Sequence, residues 1–198
     1  MNNLVLFDFD GTITTKDSLK IFLIFYHGWF KVLIGLLVLS PILILYVLKI
    51  ISNHSTKQIL LQYFFKNEPV DAFNIKGKDF ALQYLPKILR PDAIQRINHH
   101  LSKHETVVIV SASAENWIKP WSDQMGLSCI ATKLEIKKNK ITGRYSGNNC
   151  NGKEKVRRIK EKYNLSLFNA IIAYGDSRGD REMLALANES YYKVFPST

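Results

Sequence analysis

Leu4-Val5-Leu6-Phe7-Asp8-Phe9-Asp10-Gly11-Thr12 joins a short run of branched and aromatic apolar residues to two carboxylates and a glycine turn. Four apolar residues without polar alternation read as a strand buried on both faces. The strand's end therefore delivers Asp8 and Asp10 into a tight turn. Two later stretches repeat the pattern. Residues 106–110 are apolar and are closed by Ser111-Ala112-Ser113, and residues 170–174 are closed by Gly175-Asp176-Ser177. Ligands of an open parallel sheet collect outside the carboxyl ends of its strands, so three stretches far apart in sequence can describe one pocket.

Between these strands, residues 91–104 and 114–126 have helical spacing, with Pro91 near one start and Gly126 at one end. Strand-helix alternation implies an α/β fold with a Rossmann-like parallel sheet. Residues 132–145 predict a hairpin around Lys137-Lys138-Asn139-Lys140, expected to decorate the sheet edge. Residues 15–89 contain no further strand-and-carboxylate unit. They predict helices over 19–51, 57–66 and 70–85, an inserted helical cap after the first motif. The expected organisation is a catalytic core of residues 1–14 and 90–198 with the cap at 15–89. A length of 198 residues suits one core with a small inserted lobe, and hence one active site.

The net charge of +10 favours an anionic partner. No aromatic-interleaved basic motif and no zinc-spaced Cys/His set is present, so nucleic acid is not the expected one. The two cysteines, Cys129 and Cys150, have no metal or redox spacing, and the N-terminal residues lack the pattern of a signal peptide. Both point to a reduced, cytoplasmic protein. The five histidines show no ligand spacing and are assigned no role.

Phosphoryl transfer needs a nucleophile, an acid or base, a divalent cation and donors around the phosphoryl oxygens. Asp8 and Asp10 supply candidates for the first two. Asp176 and Asp180, four residues apart, stack on one side of a turn and suit oxygen ligation of a hard cation, Mg2+ better than zinc. Ser111 offers a hydroxyl, and the backbone about Ala112 offers N–H groups, to a phosphate. Lys153, at the start of a basic helix, is the lysine the sequence favours for neutralising charge. Taken singly, each feature also has a structural reading: Asp-Gly as a turn, Ser-Ala-Ser as a helix cap, the basic helix as a solvated face.

Taken together and in order, Asp8-Phe9-Asp10-Gly11-Thr12, Ser111, Lys153 and Gly175-Asp176 with Asp180 resemble the haloacid-dehalogenase-like phosphatases, and within them the phosphoserine-phosphatase-like branch. Stretches such as Gly152-Lys153-Glu154-Lys155-Val156-Arg157-Arg158 resemble a bacterial subgroup of generic hydrolases. The resemblance implies Asp8 as nucleophile and Asp10 as the acid that protonates the leaving group and then activates water. It implies magnesium held by Asp8, the Asp10 carbonyl and Asp176, with Asp180 supporting the metal or positioning Lys153. Ser111, Ala112 and Lys153 would bind the phosphoryl group. Gly179-Asp180 replaces the Asn-Asp of phosphoserine phosphatases, a departure that weakens phosphoserine as the substrate.

Residues 32–48 carry no charge and are flanked by Lys31 and Lys49, near the lower length limit for a membrane span. A single crossing would place Asp8 and Asp176 on opposite sides of a bilayer, where they could not share a metal. The remaining readings are a shallow or re-entrant hairpin broken at Ser40-Pro41, an in-plane helix, or a cap face buried in a homodimer. The alternative is that Leu36, Leu37 and Leu43 are core of a large cap. The apolar cap resembles that of the phosphatidylglycerophosphatase C family, which would imply a lipid phosphate ester. The sequence thus predicts a magnesium-dependent phosphomonoester hydrolase acting on a lipid-linked phosphate at the inner face of the cell membrane. A soluble phosphatase of phosphoserine-like metabolites and a non-enzymatic membrane-surface protein are the alternatives.

Overall fold

A computed structural model describes residues 2–196. Five parallel strands form the central sheet in the order β3-β2-β1-β6-β7: β1 (Leu4–Phe7), β2 (Thr106–Ala114), β3 (Ser128–Thr132), β6 (Ile171–Gly175) and β7 (Glu189–Tyr192). Between β3 and β6 lies a separate antiparallel hairpin of β4 (Leu134–Lys137) and β5 (Lys140–Tyr145). The alternation of side chains along β1 divides the core. Val5 and Phe7 face one apolar cluster, Leu4 and Leu6 the other, and all four are fully buried. The second cluster is closed by Ile159 of α8 (Lys153–Lys162) and Met183 of α9 (Arg181–Leu186). The first is closed by α6 (Pro91–Ser102), α7 (Glu115–Gln124) and the cap. Helices on both faces explain why β1 and β6 read as unbroken apolar runs.

The cap comprises α1 (Ser18–His27), α2 (Trp29–Val38), α3 (Ser40–Val47), α4 (Asn53–Phe65) and α5 (Val70–Gln83). The helix expected over 19–51 is therefore three. Gly28 adopts φ +78°, which a helix cannot carry, and α1 and α2 meet there at 115°. Ser40-Pro41 makes the second break, with proline in the first turn of α3, where its missing N–H costs nothing. An aromatic cluster centred on Phe22, with Phe65, Phe73, Phe80 and Trp117, packs the cap onto α7.

Two expectations need correction. The hairpin pairs with the cap rather than the sheet edge: Asn67 N–H donates to the Ile141 carbonyl, Ile141 N–H donates to the Glu68 carbonyl (each 2.8 Å), and Pro69 bridges Lys140. The strand beyond β2 is instead β3, whose residues 128–131 carry no element in the sequence reading and whose last residue, Thr132, falls in the expected hairpin. The apolar residues of the 32–48 segment also stay largely outside the core, Leu36, Leu37 and Leu43 among them. In α2 only Val32 and Gly35 are buried and in α3 none are, while Phe30 is 77% and Val47 75% exposed. Among the described residues no single helix is long and apolar enough to cross a membrane; only the bent pair α1 and α2 meets that test, by length and composition alone.

Candidate active site

The turn after β1 is held from below and beside. Asp8 N–H donates to the Tyr174 carbonyl (2.9 Å), and the N–H groups of Ile13 and Thr14 both reach the Phe9 carbonyl. Gly11 has φ +87°, and a Cβ built there would lie 2.3 Å from Asp176 Oδ2. Only glycine gives this turn both its left-handed conformation and its close approach to Asp176. Asp8 and Asp176 are thereby brought together from strands that are neighbours in the sheet and 168 residues apart in the chain.

Asp8, Asp176 and Asp180 each place a carboxylate oxygen within 4.8 Å of the others. The lysine that meets them is not Lys153. Lys153 is the first residue of α8 and is exposed. Lys155 is 1% exposed, and its Nζ donates to Asp8 Oδ1 (2.5 Å), Asp180 Oδ1 (2.7 Å) and the Val110 carbonyl (2.7 Å). Three acceptors match the three protons of an ammonium. The physical reason is helical phase. Ile159, four residues on, is the fully buried face of α8, so Lys155 points inward with it while Lys153 is turned away.

Asp180 is completed on its other side, where Oδ2 accepts from Ser177 Oγ (2.7 Å), Ser177 N–H (2.9 Å) and Asp176 N–H (3.3 Å). Both its oxygens are engaged, so Asp180 fixes Lys155 and the Asp176 turn. Among the described residues, Asp8 Oδ2 and Asp176 Oδ1 have only long hydrogen-bond contacts, from Thr12 Oγ1 at 3.3 and 3.5 Å. Those two under-satisfied oxygens, among all-oxygen donors, fit a hard divalent cation.

The Asp10 side chain lies outside the carboxylate cluster. Its Oδ1 accepts from Ser18 N–H (2.6 Å) and its Oδ2 from Ser113 Oγ (2.5 Å). It joins the N-terminus of α1 to the end of β2, and only its backbone carbonyl is left to offer a cation. Ser111 is buried, with its Oγ accepting from Ser113 N–H (3.0 Å), while Ala112 gives its carbonyl to Thr132 Oγ1 (3.0 Å). Thr12, Ser18, Ser113 and Lys155 were all missed as site residues. Lys155 was detectable from its i, i+4 relation to Ile159, and Ser113 from its two-residue spacing from Ser111 on one strand.

The electrostatics follow from burial. Burial, with the carboxylates of Asp180 and Asp10, pushes Asp8 up to about 7 against the pull of Lys155. Burial and Asp17 raise Asp10, against Lys57 and the Ser113 and Ser18 hydrogen bonds. Burial and Asp180 raise Asp176. Burial pushes Asp180 upward too, but Lys155 and Ser177 outweigh it and hold the carboxyl below its ordinary value. Burial would depress Lys155, yet Asp8 and Asp180 keep it above the ordinary lysine value. One ammonium among three clustered carboxylates leaves net negative charge, which a divalent cation would neutralise.

The chain is similar to known proteins over most of its length. The family model of haloacid dehalogenase-like hydrolases matches residues 5–185. Protein CicA of Caulobacter vibrioides is 37% identical over 196 residues, covering 97% of this chain and 86% of that protein. Among solved structures, a protein of unknown function from Bordetella pertussis Tohama I superposes with a TM-score of 0.80 at 19% identity, over 96% of this chain and 89% of its own. An apo phosphoserine phosphatase gives 0.67 at 16% identity, over 97% and 86%.

Proposed function

The chain belongs to the haloacid dehalogenase-like hydrolases, and from that premise we propose that it is a magnesium-dependent phosphomonoester hydrolase working through a phospho-aspartate on Asp8. The observation that carries the reading is the division of labour among carboxylates. Asp8, Asp176 and Asp180 cluster around Lys155, while Asp10 is held apart by Ser18 and Ser113. Asp8, Asp176 and the Asp10 carbonyl would hold magnesium, which supplies charge neutralisation to the phosphoryl oxygens.

In the first step a carboxylate oxygen of Asp8 attacks phosphorus and the ester P–O bond breaks. Asp10, whose burial favours its protonated form, gives that proton to the departing oxygen. In the second step water attacks phosphorus, Asp10 takes its proton back, and the bond to Asp8 breaks to release inorganic phosphate. Lys155, fixed by Asp180, and Ser111 with the backbone about Ala112 balance the charge that develops on the phosphoryl group.

The exposed apolar pair α2 and α3 favours an amphipathic or lipid-linked phosphate as substrate, reached from a membrane surface. Trp29, Phe30, Ile34, Leu37, Val47 and Leu48 are all exposed, with Lys31 in the first turn of α2 and Lys49 just beyond α3. Such a face suits an in-plane insertion into an anionic interface. The test is phosphate release, with magnesium and detergent, from a lipid phosphate monoester, phosphoserine and an aryl phosphate. Selective turnover of the lipid supports the full reading, and preference for phosphoserine removes its lipid half. Turnover by Asp8→Asn at the wild-type rate would sink the mechanism.

A further inference from the structure

The end of β2 leaves the ladder just where the phosphoryl group is to be bound. Ser111 pairs with Ala131 and Ala114 with Thr132, so three steps along β2 match one along β3, and Ala112 and Ser113 are looped out. Looping out frees the peptide group between those two residues, and both its polar ends find side-chain partners. The Ala112 carbonyl accepts from Thr132 Oγ1 (3.0 Å), and the Ser113 N–H donates to Ser111 Oγ (3.0 Å). A peptide group is planar, so fixing its carbonyl also fixes the direction of its N–H.

Thr132, the last residue of β3, is 1% exposed and joins three segments. Its hydroxyl oxygen accepts from Cys150 N–H (3.0 Å), in the loop that leads into α8 and Lys155. Its single proton has two acceptors in reach, the Ala112 carbonyl and Asn149 Oδ1 (2.8 Å). At the other end of the freed peptide, Ser111 Oγ is an acceptor toward Ser113, and its own proton has no acceptor among the described residues. A buried hydroxyl that is oriented by accepting from the fold, and whose proton is unspent, is set to donate to a ligand.

We propose that Thr132 is a positioning residue for phosphoryl binding: through the Ala112–Ser113 peptide it orients the Ser111 hydroxyl, which donates to a phosphoryl oxygen. The proposal rests on the phosphomonoesterase reading above and deepens it, adding a residue of the edge strand that acts through Ser111. The same looped-out pair carries Ser113, whose Oγ donates to Asp10 Oδ2, so one threonine steadies both the phosphoryl-binding hydroxyl and one hold on the acid.

The experiment measures inorganic phosphate binding to the full chain by titration calorimetry in the presence of magnesium, together with hydrolysis of an aryl phosphate, all below the melting temperature of the weakest variant. Thr132→Val keeps the shape of the side chain and removes the donor. Phosphate affinity should fall about three- to tenfold, and kcat/KM at least as far, while magnesium affinity stays within about twofold because Asp8 and Asp176 are held by other elements. Thr132→Ser returns the hydroxyl and should restore phosphate affinity, even though it melts lower for want of the methyl. Asn149→Ala disturbs the same buried junction but removes only the competing acceptor, so its phosphate affinity should stay within about twofold of wild type. If Thr132→Val does not fold, Thr132→Cys takes its place, since a thiol is a weak donor and its phosphate affinity should fall below that of Thr132→Ser. Equal phosphate affinity with and without the hydroxyl, or an equal loss in Asn149→Ala, overturns the assignment and leaves Thr132 a packing residue, with the phosphomonoesterase reading still standing on wild-type turnover. Absence of phosphate release from any monoester by the wild type defeats that reading first, and the role of Thr132 with it.

Discussion

Replacing Lys155 by methionine keeps the length of the side chain and removes its charge and all three donors. The structure then leaves Asp8 and Asp180, both nearly inaccessible, without the ammonium they share, and the Val110 carbonyl loses its donor. Removing one partner of a buried ion pair costs about 3–5 kcal/mol. For a chain of this size each kcal/mol lowers the melting temperature by about 2–4 °C, so a drop of roughly 6–20 °C is expected. Loss of one preorganised group facing transition-state charge costs about 100- to 1000-fold in rate. Lys153→Met, two residues away on the exposed side of α8, should change stability by no more than about 0.5 kcal/mol and leave kcat/KM within about twofold. The assays are a thermal melt and magnesium-supported phosphate release, both below the melting point of the weaker variant. A Lys155→Met enzyme within tenfold of wild type, or a larger loss from Lys153→Met, would refute the assignment.

Metal and proton compete at Asp8. Because burial raises its carboxyl from 3.8 to about 7, magnesium affinity measured by titration calorimetry should strengthen from pH 5.5 to about 7 and then level off. In metal-stripped protein the folded state binds the extra proton across that window, so stability should fall as pH rises from about 4 to about 7, and a flat melting profile would contradict the raised carboxyl. Gly11→Ala meets both a positive φ and Asp176 Oδ2 at 2.3 Å; it should destabilise by about 1–3 kcal/mol and reduce turnover more than tenfold, read by melts and phosphate release. Phe30→Ser with Leu37→Ser should weaken sedimentation with anionic vesicles, each side chain contributing up to about 1.5–3 kcal/mol when buried, while turnover of a soluble aryl phosphate stays within about twofold. Equal sedimentation of variant and wild type would remove α2 from the membrane reading.

The strand-borne part of the site was legible because its signals are local. An apolar run ending in polar residues is visible in sequence, and parallel topology brings such ends together, as the pairing of β1 with β2 and β6 shows. The lysine was misplaced by two residues because a basic helix offers cations at every phase. Only the tertiary environment chooses among Lys153, Lys155, Lys160 and Lys162, and it chooses the one in line with Ile159. The hairpin was found and wrongly docked, since its turn, with Lys138 and Asn139 at positive φ, is encoded locally while its partner, the 67–69 segment, is not. The cap helix was overextended for a related reason. Mostly apolar residues continue on both sides of Gly28 and of Ser40-Pro41, and hydrophobicity carries no information about a 115° bend.

That bend connects the two ends of the functional argument. Asp10 is held by the N–H of Ser18, in the first turn of α1, and α1 ends at Gly28, where α2 begins. A ten-residue helix is a rigid rod of about 15 Å. Phe22 fastens the middle of this rod to Trp117 of the core, with ring centroids 4.6 Å apart, and Trp117 Nε1–H donates to Ser18 Oγ (3.1 Å). Ser18 Oγ in turn donates to Ser113 Oγ (3.3 Å), the second group on Asp10. The acid's two hydrogen bonds thus come from opposite sides of the cap-core junction and are linked through one serine. A displacement of the exposed α2–α3 pair that moves α1 would have to break the Ser18 bonds, and with them one of the two holds on the acid. The same joint then sets both access to the site and the orientation of the acid.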